Sequence, residues 1–178
     1  KVGAVSGADE IFASDAHGNR DFVCSTTAAD GKTRRMIWCE PGDPPPAPLM
    51  PYKERLIARR IRHYDETNWW QWGRGYYRSD SPRVYVNSKT RRQAPFFVHD
   101  CPHYDGSVLA IFPRETTTDA QMLASALNRV DWEDLGFICD GRFLFTQRSL
   151  EQTLLPGIFR SFLPESGMRW WKRLKKLI

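Results

Sequence analysis

The chain is poor in the residues from which most catalytic centres are built. Its 178 residues include only four cysteines and four histidines. Cys24, Cys39, Cys101 and Cys139 lie at least 15 residues apart, so none makes the CxxC spacing of zinc or redox motifs. They read as reduced, buried thiols of a cytoplasmic protein; a four-cysteine metal site would have to be gathered from distant strands. No Gly-rich turn joins an apolar strand to a helix. Gly73-Arg74-Gly75 follows Trp70-Gln71-Trp72 instead, and no helical pattern succeeds it. A P-loop, a GxSxG and an HExxH are also missing, so no catalytic residue and no cofactor is assigned within this sequence. Apolar runs reach only a few residues, far from the ~20 that span a bilayer, so no membrane partner is expected. The sequence opens on Lys1 without an apolar leader and reads as a piece of a longer chain.

Positive charge is abundant, and it is segregated. Between Lys53 and Arg92 there are eleven Lys/Arg against four Asp/Glu, and from Arg169 to Lys176 five against none. The rest of a chain of net charge +5 must therefore carry −7. An acidic body with one long basic segment and a basic tail points to a polyanionic partner.

The pattern of apolar residues predicts a single α+β domain over residues 1–160: a mixed, mostly antiparallel sheet with packed helices, followed by a basic amphipathic tail over 161–178. Residues 1–13 read as strand, Gly7 turn and strand, with further short strands at 21–25 and 33–39. Six prolines between residues 40 and 51 predict a stiff connector that is neither helix nor central strand. Residues 52–64 have the helical period, with Arg and Lys on the outer face. Residues 68–77 form an aromatic loop or bent strand. Strands at 83–87, 95–99 and 108–112, turning at 89–92 and 105–106, predict an antiparallel meander. Asp119 is placed to cap a helix through Met122, Leu123, Ala126, Leu127 and Val130. Asp140-Gly141 signals a hairpin, residues 149–155 a short helix stopped by Pro156, and residues 169–178 a basic helix.

Three constellations offer chemistry. His99, Asp100, Cys101, His103 and Asp105 are the densest set of potential metal ligands, but Pro102 interrupts the strand that would put alternate residues on one face. A metal-dependent nuclease would have to be built there; a turn whose Asp and His groups bond the backbone is the simpler reading, and no metal site is assigned. Asp43-Pro44-Pro45-Pro46 has Pro46 where a base-stacking Asx-Pro-Pro-aromatic motif needs a ring, so it is a linker. The third is the basic segment. Arg74, Asn87, Lys89, Arg91 and Arg92 suit phosphate neutralisation and paired hydrogen bonds to base edges, and the outer face of the 52–64 helix adds Arg59 and Arg62. Trp69, Trp70 and Trp72 would either stack on single-stranded bases or fill the core.

The order of these segments resembles the target recognition domain that follows the catalytic domain in adenine-N6 DNA methyltransferases of restriction-modification type. Val2 to Phe12 looks like the family's GxxTGxNxFF segment, with Ser6 for Thr and Asp9 for Asn. Tyr52-Lys53-Glu54-Arg55-Leu56 with Arg59 and Arg60 is similar to its "hKerL..R" helix, and Trp70-Gln71-Trp72-Gly73-Arg74 to its "WyxlgR" stretch. Arg83 to Val86 corresponds to the next strand, Met122-Leu123 to Leu127-Asn128 to the "LLAxLNS" helix, and Phe145, Leu150 and Leu155-Pro156 to the closing "f.kxxLexlP". The likeness covers residues 2–156. It implies a domain that docks on double-stranded DNA, reads the major groove and helps hold an extruded adenine. An upstream catalytic domain would bind S-adenosylmethionine and carry out site-specific, adenine-specific methylation. Ser6 and Asp9 join the candidate DNA-binding residues through this resemblance. The alternative is a module for single-stranded nucleic acid or RNA that uses the aromatics between Trp69 and Tyr77.

Overall fold

Short strands and short helices alternate along a chain whose turns are set by Gly, Pro and Asx residues, giving the α+β class that the pattern predicts. The computed structural model describes residues 1–162. The basic helix expected over residues 169–178 lies outside them, as does nearly all of the tail. Two compact units are present: one of Val2–Arg78 with Asp100–Val108, the other of Lys1, Ser79–His99 and the chain from Leu109 on. Among the described residues no helix is long and apolar enough to cross a membrane.

In the first unit, β1 (Arg20–Phe22) and β2 (Arg34–Met36) pair antiparallel with Asp21 opposite Arg35. A short helix α2 (Thr27–Asp30) and Gly31 lie between them. Residues 1–13 depart from the expected two strands. Gly7 makes the turn at φ 75°, but α1 (Asp9–Phe12) follows it. A strand would send Ile11 and Phe12 to opposite faces, whereas one helical turn lets both be buried. The connector also departs from expectation: after an extended stretch through Pro46, residues Ala47–Tyr52 close a 3₁₀ helix that buries Leu49. Helix α3 (Lys53–Ile57) is far shorter than the predicted span, because the chain turns at Ala58 and Arg59 enters the interior.

Aromatic rings make much of this core. Phe22 stacks on Trp72 at 5.1 Å, and Trp72 also meets Phe12 at 5.5 Å and Trp38 at 4.9 Å between centroids. The Trp72 indole N–H donates to Ile37 O at 3.0 Å, which satisfies its polar edge. Gly3 permits the N-terminal segment to lie against Asp105, since a Cβ there would sit 2.0 Å from Asp105 O.

In the second unit, β3 (Val84–Asn87) is the middle strand of a sheet ordered β5–β3–β6, with β5 at Phe96–Phe97 and β6 at Val108–Ile111. A meander would have placed the second strand in the middle. The chain from Asp100 to the first residue of β6, Val108, belongs instead to the first unit, and β6 returns beside β3. The expected turn at 89–92 is also revised. Lys89–Thr90 is a strand, β4, joined to β8 (Arg142–Leu144) and β7 (Ile138–Cys139) in a second sheet. The β7–β8 hairpin turns on Asp140-Gly141, both at positive φ, as an Asp-Gly pair in a two-residue loop requires.

Helix α4 (Ala120–Leu127) forms behind the expected Asp119 cap but ends at Leu127, short of the predicted Val130. The Asp119 carboxylate accepts from the Gln121 and Met122 amides at 2.8 and 3.1 Å. Leu123, Ala124, Ala126 and Leu127 are buried against β3 and β5, while Met122 faces solvent. At its end the Asn128 side chain accepts from Phe96 N at 2.9 Å and donates to Phe96 O at 2.8 Å. Phe96, Trp132, Phe137 and Phe145 pack with ring centroids 4.9–5.4 Å apart. Helix α5 (Gln147–Gln152) starts on a capping box between Thr146 and Ser149.

Leu123→Ala or Leu127→Ala should cost about 2–5 kcal/mol, and Asp119→Ala about 1 kcal/mol. Met122→Ala should stay within about 0.5 kcal/mol of the parent. Urea unfolding measures all four, and equal losses at 122 and 123 would contradict the buried face.

Candidate nucleic-acid interface

The nine residues singled out from the sequence fall into two groups, one in each unit. In the first unit the chain reverses around Gly7. Val5 N donates to Arg74 O at 2.9 Å, Arg74 N returns to Val5 O at 3.1 Å, and Gly73 N also donates to Val5 O at 2.8 Å. The Ser6 hydroxyl donates to the Asp9 carboxylate and accepts from Ala8 N at 3.1 Å, which fixes the loop in front of α1. Gly7 and Gly73 make room for Ile61, whose Cδ1 would be 2.5 Å from a Cβ on the former and 1.8 Å from one on the latter.

Beneath this loop lies Arg59, only 8% exposed. Its Nε donates to Leu56 O at 2.9 Å and satisfies a carbonyl at the end of α3. Nη1 donates to Ser6 O, and Nη2 to Trp69 O at 2.5 Å and Gln71 O at 3.0 Å. The guanidinium also lies 3.9 Å from the Tyr64 ring centroid and 5.3 Å from that of Phe12. Burial lowers its pKa from the usual range. Burial likewise raises the pKa of the Tyr64 phenol.

Structure therefore sorts the first group by access. Ser6 (0% exposed) and Arg59 are interior residues that shape the loop, so the outward face predicted for Arg59 is corrected. Asp9, Arg62 and Arg74 are exposed. Arg62 donates to Gln71 Oε1 at 2.6 Å, and Arg74 makes a long contact of 3.4 Å to Gly3 O. The outward chemistry of this loop is two guanidinium groups and one carboxylate.

In the second unit, Asn87 ends the buried strand β3 and is 6% exposed, turned inward where the sequence suggested a base contact. Lys89, Arg91 and Arg92 are exposed. Lys89 stands opposite Leu144 in the ladder, and Arg92 N donates to Thr90 Oγ1 at 3.1 Å, which bends the chain after β4. Arg142, not singled out from the sequence, faces Cys139 across the β7–β8 hairpin. The register sets Lys89 and Arg142 on one face of this three-stranded sheet.

Tryptophans and potential metal ligands fall elsewhere. Trp69 and Trp72 are core residues at 2% and 5% exposure, and the Trp70 indole N–H donates to Asp43 O at 2.7 Å. Cys24 and Cys39 are buried, as expected of all four, but Cys101 is half-buried and Cys139 exposed. Burial pushes the Cys39 thiol up to about 12. Within residues 99–105 the side chains take separate partners, Cys101 Sγ donating to Asp21 O at 3.2 Å. His103 Nδ1 meets the Tyr76 hydroxyl at 2.5 Å, and Asp105 is buried with its carboxylate accepting from Ser107 N at 2.9 Å. Among the described residues no three His, Cys, Asp or Glu side chains converge on a possible metal position.

A further cationic cluster, invisible in the sequence, lies in the first unit, where Arg20 and Arg78 share the carboxylate of Glu40. Its arginines are 20 and 38 residues from Glu40, so no local spacing marks them.

Compared with known proteins, the chain matches no protein-family model and no curated protein.

Arg59→Ala should lower stability by at least about 3 kcal/mol, since it strands several buried carbonyls. Arg59→Lys should recover only part of the loss, because an ammonium cannot reproduce the planar fork. Thermal and urea unfolding measure both; a near-neutral Arg59→Ala would contradict the interior role.

Proposed function

We propose that this chain is a duplex DNA recognition module of a cytoplasmic, S-adenosylmethionine-dependent adenine-N6 DNA methyltransferase. In this reading it positions the target adenine for a catalytic domain encoded outside the sequence. The observation that carries the proposal is the exposure of the basic segment. Lys89, Arg91 and Arg92 project from β4 and the chain after it, and Arg62 and Arg74 from the two stretches packed around the Gly7 loop. Cations so presented neutralise phosphates, and arginine forks can also read guanine edges. The order of motifs over residues 2–156 supports the same reading independently of charge.

Work divides naturally in such a protein. Extruding a base costs a few kcal/mol of unstacking, which interactions with the flanking duplex must offset. A recognition module supplies those interactions, while the cofactor and the methyl transfer belong to the catalytic partner. The absence of a Gly-rich strand-to-helix turn here fits that division. A single-strand module built on tryptophan stacking is disfavoured, since Trp69 and Trp72 are buried in the first unit's core.

Fluorescence anisotropy with equal-length duplex and single-stranded DNA and RNA, from about 50 to 200 mM salt, tests the proposal. Duplex should bind best, with a steep salt dependence. Lys89→Ala, Arg91→Ala or Arg92→Ala should weaken binding to all sequences and lower the salt slope by about one for each phosphate left without its cation. Preference for single strands, or unchanged slopes, would refute it.

A further inference from the structure

Glu40 holds a position between two guanidinium groups that are themselves held by aromatic faces. Arg78 Nη2 lies 2.8 Å from each Glu40 carboxylate oxygen, and Arg20 Nη2 lies 3.1 Å from Oε1. The guanidinium carbons of Arg20 and Arg78 sit 5.1 and 5.5 Å from the Trp38 ring centroid. That of Arg78 is also 5.5 Å from the Tyr76 ring. Tyr76 is fixed in turn by His103 Nδ1 at 2.5 Å and by edge contacts to Phe22 and Tyr104 at 5.9 and 5.3 Å. Two cations are thus arranged in advance around one anion.

Three features set this cluster apart from a merely structural ion pair. Its charge does not cancel: Arg20, Arg78 and Glu40 together carry one net positive charge. It opens to solvent on one side, with the Arg78 and Glu40 side chains 52% and 36% exposed, while Arg20 lies deeper at 24%. Finally, the Glu40 backbone is secured without its carboxylate. Glu40 N donates to Asp43 Oδ2 at 2.7 Å, and Asp43 N donates to Glu40 O at 3.1 Å. The side chain is therefore able to swing aside while the turn stays in place.

A carboxylate and a phosphodiester present the same feature to an arginine, a pair of oxygens sharing one negative charge. We propose that Arg20 and Arg78, backed by Trp38 and Tyr76, form a phosphate seat that Glu40 occupies until a backbone phosphate of bound duplex DNA displaces it. The inference rests on the DNA-binding reading and adds to it a phosphate site that charge runs in the sequence do not mark. Exchange of one oxyanion for another leaves the arginines paired throughout, and the aromatic backing limits the ordering cost of binding. Glu40 acts as an internal competitor that weakens binding in proportion to its own hold on the two guanidinium groups.

Anisotropy with duplex DNA on the full chain tests this through variants of opposite sign. Glu40→Gln keeps the shape and removes the competing charge, and should tighten duplex binding by about threefold to tenfold. Arg78→Ala should weaken binding by a similar factor and lower the salt slope by about one. Arg78→Lys, which retains charge and disturbs the fold less, should restore the slope but only part of the affinity. Unchanged or weaker binding by Glu40→Gln, or a wild-type slope in Arg78→Ala, would overturn the proposal while leaving duplex recognition intact. Inorganic phosphate, read by tryptophan fluorescence, separates the remaining cases. If duplex does not bind the wild type, the recognition reading fails, and the seat fails with it unless phosphate quenches the wild type and not Arg78→Ala. Quenching by phosphate with duplex affinities unchanged in both variants would assign the seat to free phosphate and overturn its role on the duplex.

Discussion

A guanidinium buried among backbone carbonyls cannot leave its site without stranding them, and in the first unit that constraint falls on Arg59. Four carbonyls, of Ser6, Leu56, Trp69 and Gln71, converge on it from three separate stretches of chain. Carbonyl dipoles and the faces of Tyr64 and Phe12 balance its charge where a carboxylate would ordinarily do so. The end of α3, the loop before α1 and the tryptophan stretch are consequently held at fixed spacing. The exposed Arg62 and Arg74 inherit their positions from it, through Gln71 and the Val5–Arg74 bridge.

How much of this was legible in the sequence follows from the range of the forces involved. The Asp140-Gly141 hairpin, the Asp119 cap and the strand at Val84–Asn87 were readable because each is set by neighbours a few residues away. The long helix over residues 52–64 was not. Its 3.6-residue period continues past Ile57, but the hydrogen bonds offered to Arg59 by remote carbonyls outweigh one more turn of helix. The order of strands in the β5–β3–β6 sheet was likewise hidden, since it depends on where the segment Asp100–Val108 packs, and no local preference encodes that.

Among the candidate site residues the same division holds. A run of cations announces a charged surface, and Lys89, Arg91 and Arg92 are on it. Charge and residue type do not announce access, and so Ser6, Arg59 and Asn87, polar and well placed in the sequence, serve the interior. The Arg20–Glu40–Arg78 cluster shows the converse. Its residues stand in unremarkable local contexts and acquire chemical meaning only when β1, the Pro-rich turn and the chain after Tyr76 are brought together around Trp38.

The side-chain amide of Asn128 guards the edge of a sheet. By accepting from Phe96 N and donating to Phe96 O, it pairs with β5 as a neighbouring strand would. Exposed strand edges are templates on which a second chain can add itself, and aggregation often begins there. Here one residue at the end of α4 fills the place of the next strand. The strand is thereby closed to recruitment by another copy at Phe96, and the sheet can remain three strands wide at the concentrations a folded protein must tolerate.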